Sequence, residues 1–149
     1  DEPARFKAIW QALASLSLKT RVIFPVHPRS RQLIAKLGLN APAGLELWEP
    51  VSYLEMLGLI ENAELMLTDS GGIQKEAFWL ETPCVTVRAA TEWPETIAAR
   101  ANMLTAAEPQ AISNACTQMR ASQIDTSLKP YGDGKASQVI AARLRDLCE

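Results

Sequence analysis

One stretch limits the folds open to this chain more than any other. Leu65-Met66-Leu67-Thr68-Asp69-Ser70-Gly71-Gly72-Ile73-Gln74-Lys75-Glu76 predicts a short buried strand, a sharp turn and the first turns of a helix. Gly71 and Gly72 allow a tight turn and withhold the side chains that would keep a ligand at a distance. Ser70 and Asp69 are both candidates to cap the helix. A helix start carries unpaired N–H groups and partial positive charge, which suits a phosphate. On spacing alone, a plain strand-to-helix turn is the slightly better account of the glycine pair.

The same strand-then-helix alternation runs along the whole chain. Residues 3–16 predict a helix with Phe6, Ile9, Trp10 and Leu13 on one face. The apolar, β-branched run 21–26 predicts a strand that ends at His27, because Pro28 biases its neighbour away from helical geometry. A short helix over 30–37 stops at Gly38. A strand over 45–48 precedes a helix running to about residue 62, and Ser52 with Glu55 matches the capping-box pattern. After the central strand and its helix come a strand over 84–87, a polar loop over 88–93 and a helix from Pro94. A weak edge strand over 102–105 leads to an amphipathic helix over 109–119 with Ile112, Ala115, Cys116 and Met119 inward. A connector and a turn-rich loop, Pro130-Tyr131-Gly132-Asp133-Gly134, feed a last helix with Val139, Ile140, Leu144 and Leu147 expected inward.

This alternation predicts an α/β fold, a parallel sheet with helices on both faces. In such sheets ligands bind beyond the carboxyl ends of the strands. His27, Ser70 and Arg88 each follow a predicted strand, so they are expected on one rim. That convergence favours the anion site over the plain turn.

Composition narrows the partners. The chain has 149 residues, is 48% hydrophobic and carries a net charge of −2, which suits one domain and no nucleic-acid surface. No apolar run reaches the length of a membrane span, and no leader is expected ahead of the first helix. Cys84, Cys116 and Cys148 are far apart and read as buried thiols in a reducing compartment. With a single histidine and no close cysteine pair, no structural metal site is expected. The sequence opens on Asp1, without an initiator methionine, as expected of an excised or truncated piece.

Four segments now stand in order: Pro25-Val26-His27-Pro28-Arg29, Thr68 to Ala77, Arg88 with Thr91-Glu92-Trp93-Pro94-Glu95-Thr96, and Pro130 to Ala136. Together they resemble the non-hydrolysing UDP-N-acetylglucosamine 2-epimerases, and the resemblance covers nearly the whole chain but only the C-terminal half of that family. It implies a Rossmann-like domain, the C-terminal half of a two-domain GT-B-type fold with the active site in the cleft. It implies UDP-sugar binding, epimerisation at carbon 2 by elimination and re-addition of UDP, and no cofactor or metal. The implied partners are the family's N-terminal domain and a second copy in a homodimer, in the cytoplasm, with no nucleic acid and no membrane. The acid/base carboxylates of the family lie mainly in that N-terminal domain, so this chain alone is expected to bind UDP weakly and not to turn over.

Residue by residue, the resemblance puts Ser70, Gly71 and Gly72 on the diphosphate and Glu76 on the ribose hydroxyls. Val51 and Met56 fall where the family holds the uracil, although an aromatic is common at Met56. His27 is implied as the catalytic histidine that neutralises or protonates the leaving diphosphate. Arg29 suits a phosphate or carboxylate and equally a structural ion pair. Arg88 and Glu92 fall in the loop facing the cleft, where Glu92 equally suits a helix-start charge. Two positions depart from the pattern. Trp93 replaces a common arginine that contacts phosphate, and is expected on the base or sugar, or packed under its loop. Lys75 replaces a common acid and is expected to face solvent. Two other functions fit the same features: the nucleotide-binding half of a GT-B glycosyltransferase, and a non-catalytic sugar-nucleotide module. Product analysis separates the first, and saturable UDP binding without activity marks the second.

Overall fold

The computed structural model describes residues 2–147. Helix α1 (Pro3–Ser17) is followed by β1 (Val22–Pro25), α2 (Pro28–Lys36), β2 (Leu45–Trp48) and α3 (Tyr53–Glu61). Then come β3 (Met66–Thr68), α4 (Gly71–Trp79), β4 (Cys84–Thr86), α5 (Pro94–Ala98), β5 (Asn102–Leu104), α6 (Pro109–Arg120) and α7 (Ala136–Asp146). Four of these helices begin on a proline, whose fixed φ suits a first turn and whose missing N–H is no loss there.

Every strand pair is parallel, as the alternation predicts. The hydrogen-bonded ladder comes in two pieces, β1-β2 and β3-β4-β5. The sequence explains the break. The N–H groups of Val22 and Val26 point to β2, bonding Gly44 and Trp48 carbonyls. The alternate positions, Ile23 and Pro25, are therefore the ones turned away from β2, and a proline has no N–H to give. As expected, β5 is an edge strand paired only with β4.

Packing joins the two ladders. Helix α1 sends Ala12 into the core with Val85, Val87 and Ile112, and sends Trp10 and Leu13 into the core with Val26, Ile34 and Leu45. Ile9 and Leu67 pack against both groups. The Arg5 guanidinium adds a 2.7 Å hydrogen bond to the Val87 carbonyl. This burial of apolar area is the main favourable term holding the strands in place.

The last helix departs from expectation. Val139, Ile140 and Leu144 are 58% exposed, and Leu147 is 81% exposed. Helix α7 forms, but no described residue covers its apolar stripe. Cys84 and Cys116 are buried and free, as expected. Cys148 lies outside the described residues.

Candidate functional site

The start of α4 is left open by the protein. Ser70 holds the cap position with extended geometry, but its side chain makes no capping bond, and no acidic residue lies in the first turn. The expected side-chain cap from Ser70 or Asp69 is therefore absent. The Ser70 N–H donates instead to Thr68 Oγ1 at 3.0 Å, which fixes the turn without using the Ser70 hydroxyl. Helices α2 and α3 differ. His27 Nδ1 accepts from the Arg29 N–H in α2, and the predicted capping box of Ser52 and Glu55 forms in full in α3.

The glycine pair is not needed for the turn. Neither Gly71 nor Gly72 has a positive φ. A Cβ on Gly71 would meet Glu92 Oε2 and Trp93 Nε1 at 3.5 Å, and one on Gly72 would meet Ser70 Oγ at 3.8 Å. These are ordinary contacts. The free fold would accept alanine at both positions, although glycine weakens a helix. What the pair leaves is bare backbone beside uncapped N–H groups.

A buried polar network sets the wall next to this spot. Gln74, one turn into α4, is fully buried. Its Oε1 accepts from Thr91 Oγ1 and from Asn102 Nδ2, and its Nε2 donates to the Ser70 carbonyl at 3.3 Å. Asn102 Oδ1 accepts from Thr86 Oγ1 at 2.8 Å, and Asn102 Nδ2 also reaches Thr96 Oγ1. Thr96 closes the set by donating to the Trp93 carbonyl at 2.7 Å, while Thr91 Oγ1 accepts from the Trp93 N–H. Five elements thus share one satisfied network, which fixes the loop 88–93 against α4. The sequence did carry a signal for it. Gln74 lies between Ile73 and Ala77-Phe78 on the inward face, a polar residue in an apolar stripe.

Outside the network, Lys75 and Trp93 meet. The Lys75 ammonium lies 4.1 Å from the Trp93 ring centroid, and the Trp79 and Tyr131 rings stand at 5.5 and 5.7 Å. Lys75 therefore does not simply face solvent: it is half-buried against three aromatic faces that attract a cation. The Tyr131 ring packs edge-on against Phe78, Trp79 and Trp93, so the turn-rich loop folds back over α4. Trp93 Nε1 is buried and has no hydrogen-bond partner. Arg88 binds both carboxylate oxygens of Glu92, at 2.9 and 2.6 Å. That pairing holds the Glu92 carboxyl below its usual range.

The remaining predicted residues form a second group. His27 and Arg29 are exposed at the exit of β1, and Val51 is half-buried beyond β2. Arg29 makes no ion pair among the described residues; Arg31 pairs with Glu49 at 2.8 Å instead. An open recess of about 460 Å³ lies here, with Val26, Pro28, Ala35 and Pro50 in its wall. Its two charges, Arg31 and Glu49, pair with each other, so it does not make an anion site. No hydrogen bond among the described residues joins His27 to Ser70, Gly71 or Gly72. The link is apolar: Met56 and Ile73 pack on the same buried group of Ile60, Ala77 and Cys84, which sets α3 beside α4. Glu76 is half-buried, and its carboxylate makes no hydrogen bond among the described residues.

Burial pushes the Cys84 thiol up to about 12 and the Cys116 thiol to about 11, so neither is a ready nucleophile. Among the described residues, no three His, Cys, Asp or Glu side chains gather to hold a metal. No helix among them is long and apolar enough to cross a membrane.

Comparison with known proteins bears on the same residues. Residues 1–145 match the family model described as UDP-N-acetylglucosamine 2-epimerase. A UDP-2,3-diacetamido-2,3-dideoxy-D-glucuronate 2-epimerase from Pseudomonas aeruginosa is 40% identical over 148 residues, covering 99% of this chain and 41% of that protein. A UDP-N-acetylglucosamine 2-epimerase from Methanococcus maripaludis is 41% identical over 130 residues, covering 85% of this chain and 35% of that protein. The structure of UDP-GlcNAc 2-epimerase from Methanocaldococcus jannaschii in complex with UDP-GlcNAc and UDP superposes with a TM-score of 0.84 at 35% identity. It covers 97% of this chain and 41% of that one. The chain thus spans about two fifths of the length of these relatives.

Proposed function

Because the chain belongs to the UDP-N-acetylglucosamine 2-epimerase family, we propose that it is the C-terminal, nucleotide-binding half of such an enzyme, holding the diphosphate of a UDP-sugar at the start of α4. The observation that carries this is the open helix start: no side-chain cap, no acidic residue in the first turn, and two glycines whose missing Cβ atoms no neighbour requires. Diphosphate oxygens would accept from the first N–H groups and from Ser70 Oγ, which the protein leaves unused.

The other roles follow from position. Glu76 lies one helical turn beyond Gly72, on the same face, and its unpaired carboxylate suits the ribose hydroxyls. Val51 and Met56 would hold the uracil, and Trp93 would pack on the base or sugar. His27 would offer Nε2 to the leaving diphosphate. With Nδ1 accepting from the Arg29 N–H, the neutral ring carries its proton on Nε2, the nitrogen that uses no protein partner. The proposed reaction inverts carbon 2 of a UDP-2-acetamido sugar by loss and return of UDP. This half stabilises the departing diphosphate. The base that takes the carbon-2 proton would come from the N-terminal domain. The substrate class rests on the two relatives' names, which share UDP and a 2-acetamido carbon. Assembly of the complete enzyme as a homodimer in the cytoplasm belongs to the same proposal.

Titration of the chain with UDP by calorimetry tests it. Gly72→Ala is expected to leave thermal stability unchanged or higher and to abolish binding, because the new methyl group stands where the phosphate would lie. His27→Asn preserves an acceptor at the α2 cap while removing the imidazole, and should weaken binding without loss of fold. Unaltered UDP affinity in Gly72→Ala would refute the site.

A further inference from the structure

We propose that Arg88 is a ligand of the diphosphate at the start of α4, and that Glu92 holds its guanidinium in reserve until that anion enters. The proposal rests on the UDP-binding reading above and adds a device to it.

Three contacts meet at one place. Arg88, just past β4, engages both Glu92 oxygens with its planar fork, at 2.9 and 2.6 Å. That geometry serves a phosphate as well as a carboxylate. Glu92 in turn reaches the helix start: its Oε2 lies 3.5 Å from where a Gly71 Cβ would be. The protein's own anion thus sits beside the uncapped N–H groups, where partial positive charge favours it. The Trp93 indole nitrogen comes equally close to the same point, buried and without a hydrogen-bond partner. A donor with nothing to donate to faces the spot that Glu92 borders.

The surroundings decide what is free to move. The loop backbone is tied down through Thr91 and Trp93 to Gln74 and Thr96, both fully buried. The Arg88 and Glu92 side chains are 33% and 54% exposed. Asp69, ahead of α4, also acts on the Arg88 charge. An incoming diphosphate meets a repelling carboxylate and a cation already paired. If Glu92 swings out to water, Arg88 exchanges one oxyanion for another and keeps a bidentate partner. Glu92 then weakens binding, Arg88 strengthens it, and the two effects are coupled through one guanidinium.

Calorimetric titration of the 149-residue chain with pyrophosphate and with UDP tests this, on Glu92→Gln, Arg88→Gln and the double variant. Both side chains are partly exposed, and circular dichroism checks that each variant folds. Glu92→Gln should tighten both ligands by about threefold to tenfold, and Arg88→Gln should weaken both by about tenfold. In the Arg88→Gln background the gain from Glu92→Gln should shrink to the small part that carboxylate repulsion alone supplies. A gain of undiminished size without Arg88 would mean simple charge removal and would overturn the proposal, as would any loss of affinity in Glu92→Gln. Pyrophosphate separates the two ideas. Coupled pyrophosphate binding with no added affinity for UDP would support the Arg88–Glu92 device and refute the UDP reading. UDP binding indifferent to Arg88 would do the reverse, and no binding of either ligand would refute both.

Discussion

Helices α6 and α7 carry nearly the same pattern and meet opposite fates. Each places four apolar residues at helical spacing, and each has basic charge in its last turn, Arg120 in α6 and Arg143 with Arg145 in α7, which favours a helix C-terminus. In α6, Ile112, Ala115, Cys116 and Met119 are all buried, against Ala12 of α1, Val85 of β4 and Val87 just beyond it. In α7, no residue is buried. The periodicity states that one face wants apolar cover. It does not state what supplies the cover. Helix α6 follows the edge strand after a short turn and lies back on the ladder. Helix α7 follows a long connector that leads it away from both ladders.

The largest expected effect tests the covered half of this pair. Ile112 is fully buried, so Ile112→Ala should lower unfolding free energy by about 2–5 kcal/mol, read by urea denaturation. A cost below about 1 kcal/mol would mean that α6 is no better anchored than α7.

Cover has a polar form too. Gln74→Leu fits the inward face of α4 by shape but strips Thr91 and Asn102 of a shared acceptor. Leaving buried polar groups unpaired should cost about 1–3 kcal/mol, and should loosen the loop 88–93. Tryptophan fluorescence during denaturation checks both, since Trp93 sits on that loop. An unchanged midpoint would show that the network orders nothing.

Burial of the thiols gives a third, chemical reading of the same contrast. Cys116 lies on the covered face of α6 and Cys84 in β4, the middle strand of its ladder. Both native thiols ionise above their ordinary value of 9.0, so the native state keeps protons that the unfolded chain releases. Their contribution to stability is complete below pH 9 and is lost as pH rises towards about 12. In a Cys148→Ser background at pH 8, reaction with a disulfide reagent should be slower than in urea by on the order of a hundredfold. Equal rates would show that α6 opens readily.

Much of the fold was legible, for local reasons. Proline starts at α1, α5 and α6, the Ser52–Glu55 box and the β-branched run of β1 are decided within a few residues; α2 begins at Pro28, two residues ahead of the expected start. The single sheet was harder: its hydrogen-bonded break depends on which edge Pro25 faces, a question of register rather than composition. At the candidate site, Ser70-Gly71-Gly72 stood out because open backbone is written as glycine. The expected cap is absent: the turn is fixed by the Ser70 N–H donating to Thr68 Oγ1, a bond that leaves the Ser70 hydroxyl unused. Lys75 was misjudged because its neighbours come from far along the chain: Trp93 and Tyr131 are brought to it by the fold. The Arg88–Glu92 pair, four residues apart, was within reach of sequence reasoning. That Glu92 ends beside Gly71 was not.

The smallest expected effect belongs to α7, and it bears most directly on the contrast with α6. Ile140 is 58% exposed, so Ile140→Ala removes carbons that are mostly in water already. Alanine also has the higher helix propensity, which favours the variant by a few tenths of a kcal/mol. The net change in unfolding free energy should therefore stay within about 0.5 kcal/mol, against several for Ile112→Ala. If Ile140→Ala instead costs more than about 1 kcal/mol in dilute solution, the stripe is covered there. Repeating the measurement across protein concentrations then tells a second copy, whose cover weakens on dilution, from the chain's own surface, whose cover does not.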